Sequence, residues 1–262
     1  MPELPDVEIF KRYLDATSLH QQISGVHVES AYVLKGVSAR ELAHQLKGCR
    51  FESSRRHGKH LFVRADRDLW LRLHFGMTGS LQYFKHEEQA PQHTRVLFVF
   101  VNAHRLAFED QRKFGEVGLL KDVGEFLKKR ALGPDALDIS LSQFKEIFGK
   151  HRGAVKAVLL NQKLIAGIGN IYADEILFRV RMHPATEISR LDSKPLTKLF
   201  RATRYILEKA IAAKADMNQM PKSWLLPHRE KGGKCPRCGR KLRSAKIGGR
   251  TAWFCAHCQK KM

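Results

Sequence analysis

Apolar positions recur at two different spacings along the chain, and the change from one to the other marks its organisation. Between Asp6 and Leu19 they fall at helical intervals, with Val7, Phe10 and Leu14 on one stripe and Ile9 and Tyr13 beside it. Pro5 suits the first turn of such a helix, and Asp6 and Glu8 suit the positive end of its dipole. From Ile23 the pattern becomes short β-prone runs: Val26–Val28, Leu61–Val63, Leu69–Leu73, Val96–Val101 and Val117–Leu120. Glycine and charged turns separate them, which predicts an antiparallel sandwich or barrel. After Gly124 the helical spacing returns in Leu141–Phe148, Ala154–Leu160, Ile171–Val180 and Leu196–Ala213. The two regimes are expected to part between Asp122 and Pro134. A linker bearing Pro221, Pro227, Gly232 and Gly233 then leads to a short C-terminal segment. The fold class is α+β.

A chain of 262 residues with 43% hydrophobic and 28% charged positions can bury a real core, with room for two domains and an appendage. No apolar run approaches the roughly 20 residues a membrane helix needs. The opening MPELPDVE is acidic and proline-bearing, unlike a signal peptide, so the expected location is the cytoplasm. Charge changes the picture more. There are 47 Lys and Arg against 26 Asp and Glu, a formal net charge of +21. Such an excess selects a polyanionic partner, nucleic acid or an anionic membrane surface. The membrane reading lacks its amphipathic helix with a lysine-rich face. From Pro221 to Met262 there are 12 Lys and Arg and one acid, Glu230.

That basic tail also holds Cys235, Cys238, Cys255 and Cys258, two C-x-x-C pairs 16 residues apart. The spacing is that of a four-cysteine zinc ribbon. Two disulfides are the alternative and would need an oxidising compartment. Four thiolates leave no open position, so a zinc ion here is structural. Cys49 stands apart as a small apolar residue.

Two further features fit a nucleic-acid partner. The loop Ala166-Gly167-Ile168-Gly169-Asn170 joins two helices; its glycines permit close backbone approach to a ligand. Asn170 is placed to cap the helix starting at Ile171, whose N-terminus would favour a phosphate; a plain helix–helix turn is the alternative. Arg250 follows a Gly248-Gly249 turn between the cysteine pairs, where a hairpin tip can reach DNA or simply carry a solvated charge.

Together with MPELPDVE, Gly58-Lys59-His60-Leu61, His74-Phe75-Gly76-Met77-Thr78-Gly79-Ser80-Leu81, Asp110-Gln111-Arg112-Lys113-Phe114-Gly115 and the run on to Ile171-Tyr172-Ala173, these features resemble the formamidopyrimidine-DNA glycosylase and endonuclease VIII family in order and over nearly the whole chain. The resemblance implies an N-terminal antiparallel β-sandwich with flanking helices (2–125), a helix–two-turn–helix domain (130–220) and a zinc finger (230–262). It implies a monomeric base-excision glycosylase and lyase acting on double-stranded DNA with oxidised bases or abasic sites. Met1 would be removed, exposing the Pro2 amine as a Schiff-base nucleophile. Glu3 would be the general acid/base, and Lys59 a phosphate contact within the catalytic set. Met77, Arg112 and Phe114 would fill the gap left by a flipped base, and Asn170 and Arg250 would hold phosphates. A scaffold of this kind that binds damaged DNA without catalysis is the competing reading, and the presence of both Pro2 and Glu3 weighs against it.

Two departures bear on the lesion. The motif commonly reads PELPEVE, whereas this chain has Asp6. The stretch Asp216–Trp224 leads almost directly to the ribbon, where relatives specialised for 8-oxoguanine carry a longer loop. Formamidopyrimidines or oxidised pyrimidines are therefore the expected substrates, although the Met77, Arg112, Phe114 set resembles the purine branch.

Overall fold

The computed structural model describes residues 1–85 and 88–261. By its contacts the chain forms two units, Met1–Pro2 with Asp6–Arg130, and Glu3–Pro5 with the chain from Ala131 onward.

The first unit is a sandwich of two four-stranded antiparallel sheets. One has the order β1 (Ile23–Val28), β6 (Thr94–Phe100), β7 (His104–Asp110), β5 (Gly79–Lys85). The other runs β2 (Phe51–His57), β3 (His60–Ala65), β4 (Leu69–His74), β8 (Glu116–Leu120). Inward residues of both sheets meet in one core, among them Val96, Phe98 and Phe108 from the first and Leu61, Val63 and Leu73 from the second. Alternation along a strand puts these side chains on one face and leaves the other to a smaller cluster of Phe84, Leu97 and Ala107. Helix α1 (Leu4–Ser18) adds Val7 and Leu14 to the main core, and α2 (Ala39–Leu46) adds Leu42 and Leu46. A reciprocal capping box between Ser38 and Glu41 starts α2. Helix α3 (Val123–Lys129) begins on the Asp122 side chain.

Periodicity locates five of the eight strands. It misses β2, β5, β7 and the helices α2 and α3. β2 reads FESSRRH and is a largely polar edge strand, a composition that discourages pairing with a second chain.

In the second unit four helices follow the expected spacing: α4 (Leu141–Lys150), α5 (Val155–Leu160), α6 (Asn170–Arg179) and α7 (Ser193–Ala212). α6 is buried on every side from Tyr172 to Phe178, its two acids Asp174 and Glu175 included. The hairpin β9 (Arg243–Ile247) and β10 (Arg250–Phe254) closes the chain. The stretch expected as a linker is instead packed. Met220, Trp224, Leu225 and Leu226 are buried, because this apolar segment lies against α6, with Leu225 and Phe178 in one buried cluster.

Candidate functional site

Glu3 is completely buried and organises the start of α6. Its carboxylate accepts the N–H groups of Gly169 at 2.9 Å, Ile171 at 2.8 Å and Tyr172 at 3.2 Å. Helix N-termini leave such donors unsatisfied, and a carboxylate there also meets the positive end of the helix dipole. This corrects the expectation for Asn170. The N-cap is Gly169, and Asn170 is the first helical residue, with its Nδ2 donating to the Thr251 carbonyl at 3.0 Å. Asn170 supplies the one N–H from Gly169 to Tyr172 that does not donate to Glu3.

The two glycines of this loop are explained by the same packing. A Cβ on Gly169 would sit 2.2 Å from the Glu3 carboxyl carbon, and one on Gly167 would sit 2.5 Å from Leu4 Cδ1. Gly167 also has φ +113°, outside the reach of most side chains. The close approach legible in the sequence is therefore made by the chain's own N-terminal residues. Gln162 fixes the loop further, accepting from Gly167 N–H at 2.9 Å and donating to the Ile168 carbonyl at 2.8 Å.

The hairpin is tied to the same helix. Asp174 on α6 accepts from the Arg229 guanidinium at 2.9 Å and from Trp253 N–H at 3.0 Å, and pairs with Lys156 at 2.6 Å. Lys156 reaches on to the Thr251 carbonyl at 3.3 Å. Arg250, next to Thr251, is exposed beside a Gly248-Gly249 turn with φ of +58° and +74°, the left-handed pair that a two-residue hairpin turn requires. One buried carboxylate thus places the strand that carries Arg250 and the helix that carries Asn170. Sequence reasoning missed Lys156, Asp174 and Arg229. The signal was present: Lys156 and Asp174 are charges inside otherwise apolar helical runs, which need partners.

The four cysteine sulfurs lie within 4.8 Å of one another, with Cys235–Cys258 at 3.8 Å and Cys238–Cys255 at 3.5 Å. A disulfide would bring sulfurs to about 2.05 Å. A tetrahedral zinc with bonds near 2.3 Å sets them about 3.8 Å apart. The donor set therefore fits one structural zinc ion held by Cys235, Cys238, Cys255 and Cys258.

In the first unit, Lys59 occupies the two-residue turn Gly58-Lys59 between β2 and β3, with Gly58 at φ +56°. Nearby His74 is pushed down to about 4, chiefly by burial, with Arg72, Lys59 and Arg130 adding to the effect and Glu116 opposing it. Met77 and Phe114 stand on adjoining loops. A Cβ on Gly76 would strike the Phe114 backbone at 2.4 Å. Asp110, fully buried, holds both loops: it accepts from Thr78 Oγ1 at 2.5 Å and from Gly115 N–H at 2.6 Å. Phe114 is 55% exposed, with the Arg112 guanidinium 5.0 Å from its ring centroid. Met77 is half-buried. The motifs contain both Thr78 and Asp110, but the clamp they form joins residues 32 positions apart and is not legible from either motif alone. Pro2 is half-buried and follows an exposed Met1. No helix among the described residues is long and apolar enough to cross a membrane.

Comparison with known proteins finds three consecutive family matches. Residues 1–117 match the formamidopyrimidine-DNA glycosylase N-terminal domain, 131–222 its H2TH domain, and 232–261 the zinc finger found in FPG and IleRS. Formamidopyrimidine-DNA glycosylases of Pelotomaculum thermopropionicum and Bacillus subtilis are 32% and 33% identical, each covering at least 99% of both chains. The crystal structure of the Lactococcus lactis formamidopyrimidine-DNA glycosylase bound to DNA with an abasic site superposes with a TM-score of 0.90, at 29% identity over 99% of this chain and 100% of that one. A MutM complex with DNA containing carbocyclic 8-oxoguanine gives a TM-score of 0.90 at 28% identity, again covering 99% of this chain and 100% of that one.

Proposed function

The chain belongs to the formamidopyrimidine-DNA glycosylase family, and we propose that it excises oxidised bases from double-stranded DNA and cuts the strand at the resulting abasic site. The observation that carries this reading is the fixed Glu3 carboxylate next in the chain to Pro2. In this reading the N-terminal domain (2–125) carries the chemistry, while the helix–two-turn–helix domain (130–220) and zinc finger (230–262) grip the backbone. The enzyme works in the cytoplasm as a monomer.

With Met1 in place the Pro2 nitrogen is a tertiary amide and cannot attack. Removal of Met1 makes it a secondary amine with an ordinary pKa of about 8, so part of it is unprotonated at neutral pH. Its lone pair attacks sugar C1′, and the bond from C1′ to the base breaks with its electrons leaving on the base. Glu3 moves the proton that accompanies this exchange. The C1′–O4′ bond then opens, its electrons leaving on O4′, which takes up a proton. The iminium ion formed by that opening acidifies the C2′ proton, whose removal expels the 3′ phosphate. A second elimination expels the 5′ phosphate, completing a β,δ sequence. Met77, Arg112 and Phe114 fill the space vacated by the extruded base, which the exposure of Phe114 supports. Lys59, Asn170 and Arg250 bind phosphates, Asn170 through its remaining backbone amide.

Formamidopyrimidines and oxidised pyrimidines are the lesions we assign, in preference to 8-oxoguanine. Burial of Met220, Trp224, Leu225 and Leu226 supports this, because it leaves that segment no long loop to fold over a purine.

Borohydride reduction tests the chemistry. Mature protein should form a covalent complex with DNA carrying an abasic site, and protein with a residue before Pro2 should bind the same DNA without trapping. Equal trapping by the two forms would mean that a lysine is the nucleophile.

A further inference from the structure

A cationic groove lies at the far end of α6 from Asn170, about 15 Å along a ten-residue helix. Its walls are Arg179 and Arg181 from the end of α6, and Lys198, Arg201 and Tyr205 from α7, around an opening of about 490 Å³. A smaller opening of about 130 Å³ continues it past Lys194 and Pro195, sharing Val180 and Lys198. Arg181 has φ +59°, a left-handed turn at the helix end that sets Arg179 and Arg181 on the same rim. The Arg179 guanidinium stands 3.7 Å from the Tyr205 ring centroid, and Tyr205 is 37% exposed. Arg179, Arg181, Lys194, Lys198 and Arg201 have no ion-pair partner among the described residues, and no carboxylate lines either opening.

Five cations without counter-charges in one groove repel each other, an arrangement that an anionic partner would relieve. The floor discriminates between partners. Val180 and Pro195, both half-buried, offer apolar surface between the charges, with the exposed Tyr205 ring beside them. Duplex DNA presents phosphates and sugar to such a surface and has no use for an apolar floor. A peptide with acidic and apolar side chains in alternation matches both the walls and the floor. We propose that this groove docks an acidic peptide segment of a partner protein, with apolar side chains seated between α6 and α7 and carboxylates on the five cations. The groove would then tether the enzyme to a partner through a surface separate from the residues assigned to chemistry.

Fluorescence anisotropy tests this on the full chain with zinc. The probe is a labelled short peptide alternating Asp with Phe and Leu; the control has Ser in place of Phe and Leu. The Phe/Leu peptide should bind more tightly than the Ser control. Lys198→Glu combined with Arg201→Glu should weaken it by about tenfold or more, the scale for reversed interfacial charges. Base excision on a short damaged duplex should not change in that variant. Tyr205→Ala, which reverses no charge, should also weaken the peptide. Equal binding by wild type and the double variant would overturn the proposal, as would equal binding of the two peptides. A double variant that lost duplex affinity as strongly as peptide affinity would assign the groove to DNA instead.

Discussion

Lys156 and Asp174 approach to 2.6 Å, and neither side chain retains any exposed surface. Burial pushes the lysine below its ordinary pKa, with the Asp174 carboxylate opposing that effect. Removing the carboxylate leaves Lys156 and Arg229 without their counter-charge and Trp253 N–H without an acceptor. Breaking such a pair on one side costs about 3–5 kcal/mol, far more than an exposed ion pair is worth. Asp174→Ala should therefore lower unfolding stability by about that much in denaturant titration. Asp174→Asn keeps an acceptor for Trp253 and should lose less. A change below about 1 kcal/mol for the alanine variant would mean that solvent replaces the carboxylate.

Glu175, the next residue, gives stability a pH dependence. It accepts Leu226 N–H at 2.9 Å, but burial raises its pKa from 4.5 to about 7. Between those values the folded protein binds more protons at this group than the unfolded chain does. Its contribution is thus fully present below pH 4.5 and is lost as pH rises through about 7. The interval corresponds to about 3 kcal/mol at 1.36 kcal/mol per pKa unit. Glu175→Gln, which cannot ionise, should be more stable than wild type at pH 8 and lose that advantage near pH 4.5. Parallel stability curves across this range would show that Glu175 titrates normally.

These two acids also mark the limit of what the sequence discloses. Their helix is legible because α6 and its neighbours repeat apolar residues at helical spacing. Their partners are not, because Leu226 and Arg229 are 51 and 55 residues away. The same holds for Glu3, whose amide partners lie 166 to 169 residues on. The cysteines differ: zinc fixes its ligand geometry locally, so the C-x-x-C spacing alone announces the cluster. Gly167 and Gly169 announced a close approach without saying to what. Among the missed elements, α2 had a readable signal in its capping box, Ser38 with Glu41. β7 did not: its Leu106, Ala107 and Phe108 are all buried, so no alternation appears.

Zinc should support DNA binding without taking part in chemistry. Its four thiolates hold the hairpin on which Arg250 is presented, and they leave no open ligand position. Arg250→Ala should lower DNA affinity and flatten the slope of log affinity against log salt by about one, the change for one lost phosphate contact. Stripping the metal, or Cys238→Ser, should cost at least as much affinity, since it unfolds the whole hairpin. Metal-free protein with undiminished DNA affinity would separate the ribbon from binding altogether.

Glu3→Gln is the variant on which structure and chemistry meet. In wild type the two carboxylate oxygens face three N–H donors. Glutamine replaces one oxygen with an NH₂ group, so at least one of those donors then faces another donor. The close approach of Gly169 gives the side chain no space to turn away, since even a Cβ there would lie 2.2 Å from it. An unsatisfied buried N–H costs about 1–3 kcal/mol, so the variant should unfold at lower denaturant. It also loses the group that moves a proton when the base departs. Base excision should fall by about 10²-fold or more, the scale for a lost acid/base. Strand cleavage at a ready-made abasic site should fall less, because no base has to leave. The Pro2 amine is untouched, so borohydride trapping on abasic DNA should persist once binding is saturated. The comparison separates the two roles: a purely structural Glu3 would lower excision and abasic-site cleavage in equal proportion. Unchanged excision in a variant that is measurably less stable would confine Glu3 to capping α6 and leave proton transfer to another group.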